Sequence, residues 1–307
     1  MTVQFAEFLE RANCINCAST HFTDLSTGRI GDEPLRSFLQ NDPWGENPLP
    51  YIENAEWAYA RCNDCQQAFH RKILAPAWVQ KHYTDWVSHE AMQIFSSAQN
   101  TPEGQFQRAR ENVMHVLRIE KLTRGIRGRD AVRVLDFGCG YGEFLAVCDG
   151  FGFEASGVDF SPDRRREGRV EILPDMEALK ATSRAERGFH AATLFQVLEH
   201  VTEPLEILKS IWELVVPDGL LVLETPDCTG VTDIKTLSDY RNIHPLDHIN
   251  GFVPATLSSI AQRAGFQPIN RGEAHVTADW KRAVKTEVKR LVGRFRRTTT
   301  QQYFRKA

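Results

Sequence analysis

Val134-Leu-Asp-Phe-Gly-Cys-Gly-Tyr-Gly142 is the stretch on which the reading of this 307-residue chain turns. The run ending at Phe137 is short and apolar, as a buried strand would be, and Glu143–Phe151 reads as a helix. Between them stand Gly138, Gly140 and Gly142. Glycine accepts positive φ and lets a ligand approach the backbone without meeting a Cβ. Twenty-one residues after Gly138, Asp159 ends a second apolar run, where a carboxylate can take both hydroxyls of a ribose. A dinucleotide fingerprint, Gly-x-Gly-x-x-Gly, would need its third glycine at position 143, which is Glu143. With Asp136 just ahead of the loop, the site suits a cationic group better than a pyrophosphate.

Outward from the loop the pattern alternates. EASGVDF is a second strand, and Ser161 and Pro162 open the next helix. VEIL, FHAATLFQV, PDGLLVLETPD and GFQPINR read as strands three to six, with HVTADW the candidate for a seventh. Helices are predicted over EPLEILKSIWELV and over 254–264. Strands alternating with helices predict an α/β fold with a doubly wound, mostly parallel sheet covered on both faces. This domain is placed at 130–280. Residues 76–129 read as a helical bridge, with Phe106, Val113, Val116, Leu117 and Leu122 as its apolar stripe.

VLDFGCGYGEFL and GVDFSPD resemble the nucleotide-binding motifs of class I S-adenosylmethionine-dependent methyltransferases, which are Rossmann-like. FQVLEHVTEPLEILKSIWELVVPDGLLVLETPD is similar to their fourth- and fifth-strand region. HINGFVPATLSSIAQRAGF resembles the following segment in the branch related to quinone-biosynthesis O-methyltransferases. The likeness covers roughly residues 130–272, and its motifs are specific jointly. It implies that Asp136, Gly138 and Gly140 line the methionine portion of S-adenosylmethionine, together with Cys139 and Tyr141 of the same loop. Asp159 would hold the ribose and Phe160 would pack near the adenine. Asp175 would be the acid beyond the third strand, with Met176 beside the adenine and Gln196 completing the cofactor side.

In the family, the turn after the fourth strand, here Gln196-Val-Leu-Glu199-His200, sits under the cofactor and faces the acceptor. A hydroxyl acceptor must lose a proton, and a histidine titrating near neutrality suits that task. His200 and His248 are therefore candidates for the base, with Glu199 and His244 as further catalytic candidates. Glu199 and His200 can equally be read as capping the loop. His244 and His248 would share one face if the segment were helical, with Asp247 between them. Some quinone O-methyltransferases carry a second acid three residues before the Glu; here it is Gln196, a poorer ligand for a hard cation.

The pairs Cys14/Cys17 and Cys62/Cys65 can offer four thiolates to Zn²⁺ in a closed, structural site within an N-terminal module, residues 1–75. The 44 residues between the pairs exceed the usual zinc-ribbon spacing. NDPWGENPLPYIENAEW within them reads as loop. Such a module ahead of a methyltransferase core resembles bacterial enzymes acting on sugars.

Composition bounds the partners. Hydrophobic residues make up 42% and charged residues 25%, as in a globular protein. The net charge of −3 argues against nucleic acid as the partner. No signal-like start and no apolar run of ~20 residues is present, so the expectation is a cytoplasmic chain. The tail, residues 281–307, holds ten Lys or Arg and one acid; Trp280, Val284, Val288, Leu291, Val292 and Phe295 recur at helical spacing. A basic amphipathic helix of that kind can rest on a membrane surface or dock on its own protein. The functional expectation is methyl transfer to a small-molecule or saccharide acceptor, at oxygen. The competing readings are an RNA methyltransferase and a catalytically inactive scaffold.

Overall fold

The computed structural model describes residues 4–87, 90–91, 101–167, 170–276, 284, 288 and 299–307. The chain divides into two compact units. One comprises Met1–Gln105, Leu198–Pro204 and Cys228–Thr256; the other comprises Phe106–Val197, Leu205–Asp227 and Leu257–Ala307. Two stretches that linear reading assigns to the 130–280 domain, 198–204 and 228–256, thus pack into the first unit.

The first unit is built on short antiparallel strands. β1 (Phe8–Glu10) pairs with β5 (Lys72–Leu74). β2 (Phe22–Arg29), β3 (Glu56–Cys62), β4 (Ala68–His70) and β11 (Asn250–Gly251) form a second sheet in the order β11-β4-β3-β2. Its core gathers Ile30, Leu39, Ile52, Trp57, Tyr59 and Trp86 with Ile234 and Ile243 from the later stretch. The segment expected to be loop holds a helical turn, Leu49–Ile52, and the start of β3. Leu49, Ile52 and Trp57 are buried there, so packing orders a stretch rich in turn formers. His82–Trp86 is a π-helical turn, closed by the Val87 N–H donating to the His82 carbonyl at 2.8 Å.

The second unit carries the expected sheet. β6 (Arg133–Phe137), β7 (Glu154–Val158), β8 (Ile172–Leu173), β9 (Phe189–Phe195) and β10 (Val215–Pro226) are all parallel. β12 (Phe266–Pro268) and β13 (Thr299–Lys306) complete it in the order β12-β13-β10-β9-β6-β7-β8. The order reverses at β6, and open α/β sheets bind ligands outside the carboxyl ends of the strands at such a point. Val134, Ala191, Ala192 and Leu220 to Leu223 are buried, as central strands covered on both faces require. The helix Pro102–Arg127 contributes Val116, Ile119 and Leu122 to this core. Phe106 and Leu117 of the expected stripe face outward, and Ile119 takes the place beside Val116.

The seventh strand differs from the expectation. It is β13, the end of the basic tail, lying antiparallel to β10 with Leu220 opposite Arg305 and Pro226 opposite Thr299. Residues 299–306 are therefore not helical: their β-branched and aromatic residues (Thr299, Thr300, Tyr303, Phe304) suit a strand, and β10 and β12 pair with it on either side. Arg305 donates to the carbonyls of Asp218 and Leu122, and Lys306 to those of Trp212 and Val215. Of the helical face, Trp280, Leu291, Val292 and Phe295 lie outside the described residues, as does most of HVTADW. Among the described residues no helix is long and apolar enough to cross a membrane.

Candidate active site and the four-cysteine cluster

The glycine loop follows β6 at the point where the strand order reverses. A Cβ on Gly138, where φ is +76°, would stand 2.4 Å from Val197 Cγ2, so protein packing itself demands glycine there. Gly140, with φ +58°, faces open space. That is where a ligand can approach bare backbone. The loop amides are already engaged within the protein. Gly138 and Cys139 donate to the Val158 carbonyl, Gly140 to Asp159 Oδ2 at 2.9 Å and Gly142 to the Cys139 carbonyl. A pyrophosphate cradle needs such amides free, since they are its donors.

Two carboxylates lie at the ends of adjacent strands. Asp159 is 4% exposed, and Ser161 N–H donates to its other oxygen at 2.9 Å. Arg164 approaches Oδ2 to 3.7 Å, a partner that sequence reading missed because it sits on the next helix. Asp136 is buried and accepts from the Thr193 hydroxyl at 2.6 Å. Burial pushes the Asp136 carboxyl up to about 7, against the hydrogen bond from Thr193 and aided by the Asp159 charge. A cation placed beside it would favour its ionised form.

Around this pair the other sequence candidates fall at strand ends. Phe160 is 60% exposed, its ring 5.8 Å from that of Phe137. Tyr141 lies at the loop surface, and the Cys139 thiol is raised by burial. Asp175 follows β8 and caps the helix Met176–Lys180, accepting from Ala178 N–H at 2.7 Å. Gln196 takes a positive φ of 55° and donates its side-chain amide to Glu224 of β10 at 3.2 Å.

Glu199 and His200 form a turn within the first unit. Asn250 holds it: its side-chain amide donates to the carbonyls of Leu198 (2.8 Å) and Val201 (2.7 Å). Arg11 in turn donates to Asn250 Oδ1 at 2.7 Å and to the Thr202 carbonyl. Neither residue was legible from motif reading, because a clamp of backbone carbonyls leaves no spacing signature. His200 Nδ1 stands 2.9 Å from Asp247 Oδ1 and 3.1 Å from the Asp247 carbonyl. Burial alone would lower the pKa of His200, but the Asp247 charge and hydrogen bond, with Glu199 adding, hold it at about 9. The His248 ring packs edge-on against His200, centroids 4.7 Å apart, and burial and the neighbouring charge lower its pKa to about 4.

His244 and His248 do not share a helical face. The helix Leu237–Asn242 ends before them and residues 245–247 turn. His244 Nδ1 accepts the Leu246 N–H at 3.1 Å, which leaves its proton on Nε2 beside the Tyr240 hydroxyl and Asp42. Both ring nitrogens are committed, so His244 has no lone pair for a substrate. Glu199, His200 and His248 bring one oxygen and two nitrogens within 4.8 Å of one another. A histidine ligand must be neutral, and the Asp247 charge raises the pKa of His200.

The four cysteines do converge. Sγ of Cys14 and Cys65 are 3.5 Å apart, as are those of Cys17 and Cys62, and all four lie within 4.8 Å. Zinc–sulfur bonds of ~2.3 Å imply tetrahedral edges of ~3.8 Å, so the spacing fits Zn²⁺. The two halves repeat one geometry. Cys14 N–H donates to the Ser19 carbonyl and Cys62 N–H to that of Gln67; Ala18 and Gln66, each following the second cysteine, have φ of 59° and 64°. The 44-residue spacing is closed by the β2–β3 pairing, which sets Phe22 opposite Cys62.

A family model for the methyltransferase domain matches residues 100–270, more than half of the chain. Ubiquinone biosynthesis O-methyltransferase of Psychrobacter arcticus is 28% identical over 164 residues, covering 46% of this chain and 60% of that protein. The mitochondrial enzyme of that name from Schizosaccharomyces pombe is 29% identical over 142 residues, 41% of this chain and 51% of that one. The chain thus spans between half and two thirds of these relatives' own length. Among solved structures, the plantazolicin methyltransferase BamL, in complex with a triazolic desmethylPZN analog and SAH, superposes with a TM-score of 0.54 at 10% identity. That match covers 75% of this chain and 94% of that one. At that identity the likeness speaks for the fold alone.

The fold and glycine loop are those of a class I S-adenosylmethionine-dependent methyltransferase. The chain belongs to the methyltransferase-domain family.

Proposed function

We propose that this protein transfers a methyl group from S-adenosylmethionine to a hydroxyl oxygen of a small-molecule or saccharide acceptor, with His200 as the base. The observation that carries the reading is the loop whose amides are spent internally beside two buried carboxylates, Asp136 and Asp159. Such a site offers oxygen atoms and open backbone, which suit a ribose and a cation and not a phosphate. Asp159 would accept from the ribose hydroxyls, Phe160 would stack on the adenine, and Asp136 would face the positive end. The relatives' description as O-methyltransferases supports an oxygen acceptor.

When bound, the donor supplies a methyl group made electrophilic by its sulfonium, and the sulfur keeps the S–C electron pair as a neutral thioether. His200 lies four residues after Gln196 in the chain. Its Nδ1 proton is held by Asp247, so the neutral ring presents an Nε2 lone pair. That lone pair takes the hydroxyl proton as the acceptor oxygen forms its new bond to carbon, and the imidazolium then returns the proton to water. His248, neutral and packed on His200, serves as a wall.

The four cysteines would hold one structural Zn²⁺, which leaves no open position for chemistry.

The test is incubation of the zinc-loaded protein with isotopically labelled donor and panels of sugars, small hydroxyl compounds and RNA, with products identified by mass. We expect a hydroxyl compound or saccharide to gain one labelled methyl, and His200→Gln to slow that step by ~10²–10⁴. Labelling of RNA, with every hydroxyl compound and sugar unmodified, would contradict the reading.

A further inference from the structure

We propose that Asp247 is the positioning residue of His200, fixing which ring nitrogen carries the proton and holding the ring so that only Nε2 can reach an acceptor. This rests on the reading of His200 as the base. A carboxylate can only accept, so the 2.9 Å contact to Asp247 Oδ1 makes Nδ1 the donor, and the Asp247 carbonyl at 3.1 Å accepts from the same N–H. Flipping the ring about its Cβ–Cγ bond would put the carbon Cδ2 against these acceptors and lose both bonds.

Asp247 is itself held from a second element. His82 Nε2 and the Tyr83 hydroxyl each stand 3.4 Å from Oδ1, and both come from the π-helical turn. Single π turns recur at functional sites, where they re-aim side chains. The titratable groups facing His200 are Glu199, its own neighbour at 3.8 Å from Nε2, and Asp247 and His248 from the turn after Asn242. His82 and Tyr83 reach it through Asp247, and Arg11 reaches the same turn through Asn250 and Thr202. Two of these are carboxylates and the neighbouring imidazole is neutral, so the surroundings favour a proton on His200. His200 is thereby a stronger base than an ordinary imidazole, at the expense of resting protonated at neutral pH.

The sign follows. Methyl transfer should rise about tenfold per pH unit below 9 and level off above it, because only neutral His200 accepts a proton. Replacing Asp247 with a neutral amide removes what raises the His200 midpoint and leaves the burial that lowers it.

The experiment uses the full-length, zinc-loaded protein labelled at histidine, with the His200 resonance assigned through His200→Gln. The imidazole is titrated by NMR in the parent, Asp247→Asn and Asp247→Glu. We expect the midpoint to fall by two units or more in Asp247→Asn and to stay raised in Asp247→Glu. With an acceptor in hand, the ascending limb of kcat should move to lower pH in parallel in Asp247→Asn, kcat at its plateau falling at least tenfold while donor Kd stays within twofold. An unmoved His200 midpoint in Asp247→Asn, or a midpoint in Asp247→Glu no higher than in Asp247→Asn, overturns the proposal. Full activity in His200→Gln would instead overturn the reading of His200 as the base, so the two failures are told apart.

Discussion

At the scale of single residues, the site is governed by what burial does to charge. Asp136 sits among apolar strands with one hydroxyl partner, and its carboxyl is pushed up to about 7. A bound cation would pull that value down, so donor binding should release a proton near neutrality. The affinity for S-adenosylmethionine should accordingly rise with pH on the acid side of 7, by up to tenfold per unit, and flatten above it. Calorimetry in buffers of different ionisation enthalpy reads the proton release directly. An affinity independent of pH between 5.5 and 8 would mean that Asp136 does not face the positive end, and Asp136→Asn should abolish the dependence. The same scale separates the glycines. Gly138 is demanded by Val197, whereas Gly140 leaves room for a ligand.

Among the elements, the cysteine knuckles carry the sharpest expectation. Each is a small turn with a left-handed residue after its second cysteine, and the β2–β3 pairing brings the two together. Four sulfurs at this spacing without a metal would be a poorly packed cluster. Metal analysis should therefore find about one zinc per chain, and Cys17→Ser should lower the unfolding temperature by roughly 5–10 °C. Protein purified reduced that holds no zinc would remove the role of the module. The elements also show what sequence could and could not convey. The five parallel strands and the cysteine pairs were legible because buried strands are continuous apolar runs and metal ligands keep fixed spacings. β13 was not, since it is an antiparallel strand set between β10 and β12 whose sequence, TTQQYFRK, lacks an apolar run and follows a basic stretch. The helical face expected for His244 and His248 is not formed, for a related reason. A pair of histidines four apart suggests a helix face, but Pro245 follows His244 directly, and the segment turns instead.

For the molecule as a whole, the chain is interlaced. The first unit is assembled from the N-terminal 105 residues and from two later stretches, so the histidine cluster is complete only when distant segments of sequence fold together. Arg11 and His82 come from the first stretch; Glu199 and His200 from the second; Asp247, His248 and Asn250 from the third. The residues proposed to hold the donor lie together in the other unit, at the ends of the strands of one sheet. That arrangement explains why the nucleotide motifs can be read from one contiguous stretch while the groups proposed to handle the proton cannot. The central claim, a ribose-bearing methyl donor held at the end of β7 by Asp159, is tested most directly by calorimetric titration of S-adenosylmethionine into the full-length parent and Asp159→Ala. The parent should bind one donor per chain, and the variant, still folded by circular dichroism, should bind at least tenfold more weakly, as loss of charge-assisted hydrogen bonds of ~1.5–3 kcal/mol requires. Equal affinity in the two proteins would contradict the account.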